Sequence, residues 1–171
     1  MTKNIENPMR QVRIEKVLLS CGAKDKELQK AKKLLEFLSG KKAQIRTSSK
    51  RIPDFDVRPG LEVGVRVTLR NKQEIYELIK KLLGAIANTL YDDQISPNHF
   101  SFGISEYIDI PGIEYQRDIG IRGLNVTMVF SRAGLRIKLK KIKSAKLPMK
   151  QNVSKEEIIK FMEDNFQTKF A

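Results

Sequence analysis

The chain has 171 residues, 40% hydrophobic and 31% charged, with 33 Lys and Arg against 20 Asp and Glu, a formal net charge of +13. A chain of this length can bury a core without covalent staples, and so large a positive excess points to a polyanionic partner, because like charges repel in the folded state. A single cysteine (Cys21) and a single histidine (His99) exclude an intrachain disulfide and an ordinary structural zinc site, and leave little for nucleophilic catalysis.

The first residues, MTKNIENPMR, lack the apolar core of a signal peptide, and no run of eighteen apolar residues occurs. A cytoplasmic chain is expected, with a flexible stretch over 1–6 and order from Asn7. Over 11–19, Val12 and Ile14 alternate with Arg13 and Glu15, and the run turns apolar on both faces at Val17, which predicts a strand with a buried far end. The small residues Ser20, Cys21, Gly22 and Ala23 predict a turn after it. Asp25 is the expected cap of a helix over 26–39, with Leu28, Ala31, Leu34, Leu35 and Leu38 inward, Lys26, Lys30 and Lys33 on a solvated face, and Gly40 as its stop. A short strand is predicted at 44–47, followed by a loop over 48–62 that is long for a compact domain.

The stretch 41–70 holds eight basic residues against three acidic ones. In its second half Val63, Val65, Val67 and Leu69 alternate with Gly64, Arg66, Thr68 and Arg70, a strand with one apolar and one basic, polar face. Such a face either meets phosphates or is simply solvated. Asn71 and Glu74 have capping-box spacing ahead of a helix whose stripe runs from Ile75 to Ile86 and which is expected to end near Leu90. Strands follow over 99–108 and 124–130. Phe100 and Phe102 read as core rather than as RNA-stacking aromatics, because the accompanying basic-Gly-aromatic pattern is missing. Gly120 and Gly123 have the G-x-x-G spacing of an RNA clamp but precede a strand. From 132 to 150 there are eight basic residues and no acid, with Ile137, Leu139 and Ile142 interleaved. An extended arm on RNA is the preferred reading, with a β-ribbon or a membrane-surface segment as alternatives. Ser154 and Glu157 form a second capping box, ahead of a terminal helix with Ile158, Ile159, Met162 and Phe166 on one face.

This order of elements predicts a single α+β domain over 7–170, an antiparallel sheet with helices packed on one face. The bare sheet face would carry Arg13, Arg66, Thr68, Asn125 and Thr127. No phosphate-binding loop or catalytic constellation is present, and the carboxylate groupings at Asp92-Asp93 and Glu106/Asp109 read as turn residues. The protein is expected not to be an enzyme, and no cofactor or metal is expected.

In order along the chain, Asn7-Pro8-Met9-Arg10, LSGKKAQIRTSSKRI, DVRPGLEVGVRVTLR, FSFGISEYIDIPGIEY and GIRGLNVTMVFSR resemble the ribosomal protein L5 family, large-subunit proteins that bind 5S rRNA. The basic tail followed by a Ser-Lys-Glu-Glu helix resembles its archaeal and eukaryotic branch. The resemblance implies a sheet face on 5S rRNA in the central protuberance of a cytoplasmic ribosome. It also implies contacts with large-subunit rRNA, with P-site tRNA through the loop 49–60, and with neighbouring ribosomal proteins, among them a small-subunit head protein across an intersubunit bridge. The family's RNA-facing polar positions fall on Ser20, Lys41 and Thr68, where Ser20 stands in place of the common Asn and Lys41 in place of the common Gln. The expected rRNA-binding residues are Arg10, Arg13, Ser20, Lys41, Lys42, Arg46, Arg66, Thr68, Arg70 and Arg132, and the expected tRNA-binding residues are Lys50, Arg51 and Arg58. The rival readings are a basic adaptor for an anionic membrane or acidic protein, acting through 132–150, and an RNA-binding module outside the ribosome.

Overall fold

Four strands with apolar residues at period two and three helices with apolar residues at period 3.6 have one economical solution, a sheet covered by helices on one side. The computed structural model, which describes Asn7 and residues 9–170, has this architecture. Strands β1 (Arg13–Gly22), β2 (Gln44–Thr47), β3 (Glu62–Leu69), β5 (Ile95–Ser96), β6 (His99–Ile104) and β7 (Leu124–Ser131) form one sheet in the order β2-β3-β1-β7-β6-β5. Every neighbouring pair is antiparallel. Helices α1 (Asp25–Ser39), α2 (Lys72–Gly84) and α4 (Lys155–Phe166) cover one face. A separate parallel pair joins β4 (Thr89–Leu90) to β8 (Lys169–Phe170).

The core lies between these layers. Val17, Leu19, Val67, Val126 and Met128 from the sheet meet Leu34, Leu35, Ile79, Leu82, Ile158 and Met162 from the helices, all buried in one cluster. Phe100 and Phe102 are core residues as expected: their rings stack at 5.9 Å, and Phe130 stacks on Phe100 at 5.8 Å and meets Phe161 edge-on at 5.6 Å.

A bulge in β1 explains its mixed sequence pattern. Ile14 lies opposite Phe130 and Lys16 opposite Val129, so Glu15 is an extra residue. The inward set shifts from Ile14 to Val17, Leu19 and Cys21, and Leu18 faces outward. The expected turn at Ser20 does not form. The strand continues through Gly22, which lies opposite Gly64.

Local signals at the helix ends fare unevenly. Gly40 takes a left-handed φ of 62° and donates its N–H to the Glu36 carbonyl at 2.8 Å, ending α1 as expected. Asp25 does not cap that helix: it is the first helical residue, and Lys24 precedes it with no side-chain cap. Asn71 stands at the start of α2, but its amide donates to the Glu74 carboxylate at 2.8 Å, so no capping box closes there. Helix α2 stops at Gly84 rather than near Leu90, because Ala87 and Asn88 adopt left-handed φ angles of 52° and 55° and turn the chain into β4. The box at α4 is complete: the Ser154 N–H donates to Glu157 Oε2 at 3.0 Å, and the Glu157 N–H donates to Ser154 Oγ at 3.4 Å.

Two long connections follow β6 and β7. Strand β6 ends at Ile104, short of the expected 108, and the chain makes a helical turn at Tyr107–Asp109. The buried Tyr107 hydroxyl accepts the Gln116 N–H at 2.9 Å and fixes the segment that returns to β7. The basic stretch after β7 contains one helical turn, α3 (Arg136–Leu139), and a 3-10 turn at Met149–Gln151. No β-ribbon forms among its described residues.

Candidate nucleic-acid interface

The alternation that buries one side of each strand leaves the other side of the sheet open. Register aligns its outward residues into rows that cross the strands. Gln44, Arg66, Ser20, Asn125 and Gly103 form one row across β2, β3, β1, β7 and β6. Thr68, Leu18, Thr127 and Ser101 form the next. Lys16, Val129 and His99 form a third. Gln44, Ser20, Asn125, Thr68, Thr127 and Ser101 are uncharged and able to donate or accept hydrogen bonds, whereas Leu18 and Val129 are apolar. Arg66 Nε donates to Gln44 Oε1 at 3.2 Å, and this bond aligns the guanidinium along the row with no other hydrogen bond among the described residues. The hydroxyls of Ser101 and Thr127 bond each other at 2.9 Å.

Glycines keep this face low. A Cβ at Gly64 would stand 3.1 Å from the Cys21 carbonyl, and one at Gly103 would stand 3.2 Å from Asn125 Oδ1. A broad, shallow surface of hydroxyls, amides and scattered arginines matches the minor groove and backbone of A-form RNA, which is read through shape, 2′-hydroxyls and phosphates.

The expected site residues separate into groups. Ser20, Arg66 and Thr68 meet on the open face, and Arg13, opposite Ser131, extends it at one end. Arg46 is exposed on β2, and Arg10, Lys42 and Arg70 are exposed at strand and helix ends. Lys41 is engaged elsewhere: its ammonium pairs with Glu74. The hydrogen bond from Lys41, then that from Asn71, holds the Glu74 carboxyl below its usual range, so this pair persists above the ordinary carboxylate range and is lost as pH falls through the lowered value. Arg132 is also occupied. Its largely buried guanidinium pairs with Glu157 and donates to the Lys150 carbonyl at 3.0 Å, tying the end of the basic stretch to the start of α4.

Lys50, Arg51 and Arg58 sit apart, on the loop between β2 and β3. Bonds from the Ser48 N–H to the Leu61 carbonyl and from the Gly60 N–H to the Ser48 carbonyl, both 2.8 Å, close its base. Ile52 and Val57 bridge it midway, and buried Val57 anchors it. Phe55 at its tip is 67% exposed between the three cations.

Sequence reasoning missed Gln44 and Ser101, although period-two alternation marks both as outward once their strands are placed. It also missed Arg122, whose largely buried guanidinium lies 3.4 Å from Glu27 beside Cys21. No sequence signal announces that contact. The Cys21 thiol donates to the Gly123 carbonyl at 3.3 Å, and burial raises its pKa, outweighing the lowering by Arg122. Alkylation of Cys21 by iodoacetamide at pH 8 is therefore expected to run at least about tenfold slower in the native protein than in denaturant. Equal rates would contradict this placement. Among the described residues no cluster of three His, Cys, Asp or Glu side chains could hold a metal ion, and no helix is long and apolar enough to cross a membrane.

The family profile described as Ribosomal protein L5 matches residues 7–58, and the profile of the same ribosomal family's C-terminus matches residues 62–161. The chain belongs to the ribosomal protein L5 family. This is a family of structural, non-enzymatic ribosomal proteins. The two L5 segments meet at the base of the 48–61 loop, so the boundary divides the sequence but not the sheet, since β2 and β3 on either side of it pair. The large ribosomal subunit protein uL5 of Nanoarchaeum equitans is 39% identical over 163 residues, covering 94% of this chain and 96% of that protein. The uL5 of Picrophilus torridus is 37% identical over 174 residues, covering 99% and 98%. That of Sulfolobus acidocaldarius is 39% identical over 164 residues, covering 94% and 92%. These archaeal L5 relatives agree with the branch expected from the basic tail.

Proposed function

We propose that this L5-family protein is a structural component of the large ribosomal subunit that binds 5S rRNA through the open sheet face and helps attach it in the central protuberance. One observation carries this reading: the sheet face opposite α1, α2 and α4 presents outward rows that are mainly polar or basic, with Leu18 and Val129 as apolar exceptions, and the basic arm folds over one end of it. Arg66 and Arg13 supply charge, while Ser20, Thr68 and Asn125 supply hydrogen bonds at fixed spacing. Arg10, Lys42, Arg46 and Arg70 add phosphate contacts around the edges, and Lys41 joins them when RNA displaces Glu74. Arg132 acts by holding the basic arm, which lies against large-subunit rRNA. The loop with Lys50, Arg51 and Arg58 faces P-site tRNA, and the protein also touches neighbouring ribosomal proteins, including one in the small-subunit head. On this reading the protein resides on the cytoplasmic ribosome, with no role at a membrane.

The test is binding to 5S rRNA and to an unrelated RNA of equal length, across a salt series, with wild type and Thr68→Ala. The preference for 5S rRNA should persist as salt rises, because base-edge and 2′-hydroxyl contacts release few counterions, and Thr68→Ala should reduce it by about three- to tenfold. If both RNAs bind alike and dissociate together as salt rises, the protein is a polyanion binder and the reading fails.

A further inference from the structure

Strand β7 leaves the sheet at Ser131, and the basic arm folds back over the end of the open face before joining α4. Between arm and sheet lies a cleft of about 580 Å³, within the range of small-molecule sites. Its sheet wall is Lys16 and Val129, members of the third outward row, so the cleft opens directly from the surface described above. Its arm wall combines two kinds of side chain. Leu139 and Met149 are 71% and 87% exposed, and Lys138 and Lys146 have no carboxylate within ion-pair distance among the described residues. Lys16 is 3.6 Å from Glu15, the one acid lining the cleft, so that carboxylate already has a cationic partner.

We propose that this cleft receives one unstacked nucleotide of rRNA, its base against Val129, Leu139 and Met149 and its flanking phosphates on Lys138 and Lys146. The inference rests on the RNA-binding reading of the open face and adds a site to it. The occupant must satisfy apolar groups and cations a few side chains apart. A base has an uncharged, weakly hydrated face and carries a phosphate on each side, so a single nucleotide fits both. The exposed Asn152 amide in the same cleft gives a planar donor and acceptor for a base edge. Continuity with the sheet means that a strand leaving the duplex on the open face reaches the cleft without crossing the molecule.

The experiment titrates the full-length chain with single-stranded tetranucleotides of A, C, G or U, following the methyl resonances of Val129, Leu135, Leu139, Leu147 and Met149. A Leu139→Ser/Met149→Ser double variant is run in parallel; both positions are exposed, so folding is preserved. Saturable shifts confined to these methyls are expected with at least one tetranucleotide. The double variant should weaken that binding about tenfold while leaving its salt slope unchanged, since no cation is removed. Absence of saturable shifts, an unchanged affinity in the variant, or the same shifts with a tetraglutamate peptide and none with RNA would overturn the proposal. Binding of 5S rRNA and the unrelated RNA to the same variant keeps the two readings distinguishable. A chain that shows no 5S preference but retains the methyl shifts keeps the cleft and discards the 5S assignment.

Discussion

Replacing Arg66 with Glu is expected to weaken 5S rRNA binding by roughly 50-fold at moderate salt, with the fold intact. Arg66 lies in the longest outward row, between Gln44 and Ser20, and its only side-chain hydrogen bond among the described residues is to Gln44. Losing one well-placed arginine contact costs about 1–3 kcal/mol, and the introduced carboxylate adds repulsion from the nearest phosphates. Charge removal also lowers the number of counterions released, so the slope of log K against log salt should become shallower by about one or more. Lys30→Glu makes the same change in net charge on the solvated side of α1 and should cost less than about threefold. Equal losses from the two reversals would mean that net charge, rather than the open face, holds the RNA.

Gly123→Ala is expected to destabilise the fold by about 1–3 kcal/mol, read as a lower midpoint in urea or a melting temperature reduced by several degrees. The added Cβ would lie 2.7 Å from both the Ile104 and Ser105 carbonyl oxygens, and backbone cannot move aside as a flexible side chain can. Gly123 leads into β7, and its own carbonyl accepts the Cys21 thiol. The strain therefore falls where β7 enters beside β1 and β6, and the outward row through Asn125 should be disturbed with it. A companion Gly22→Ala change meets nothing within 4 Å, so its cost should stay near the ordinary strand penalty of well under 1 kcal/mol. Equal stability of the two variants would contradict this account of the close approach. The spacing of Gly120 and Gly123 resembles an RNA clamp in sequence, yet in the fold Gly120 supplies a left-handed turn, with φ of 72°, and Gly123 permits chain packing.

What could be read in advance depended on the range of the interaction. Val63 to Leu69 announced both a strand and the chemistry of its two faces, because alternation needs no partner to be visible. Ser154 and Glu157 announced the start of α4 because both bonds of the box lie within one turn. Asn71 and Glu74 carry the same spacing but failed, because the Asn71 amide turns to the Glu74 carboxylate, which Lys41, more than thirty residues away in sequence, also reaches. The turn expected at Ser20 failed for a related reason. Small residues often mark turns, but here Gly22 faces Gly64 across a continuing strand pair, which only the register reveals. The bulge at Glu15 and the pairing of β4 with β8 are likewise products of distant chain meeting. In the candidate site, composition marked the cations but could not say which were committed to acids. Arg132 and Lys41 hold ion pairs with Glu157 and Glu74, whereas Arg66 faces outward.

The central claim is that RNA lies on the bare side of the sheet. Ultraviolet cross-linking of the 5S rRNA complex, with mass-spectrometric mapping of the modified residues, tests it most directly. Cross-links are expected at Ser20, Arg66, Thr68, Asn125 and Thr127, with the helix-face lysines Lys26, Lys30 and Lys33 unmodified. Cross-links concentrated on those lysines, with the sheet rows silent, would contradict it.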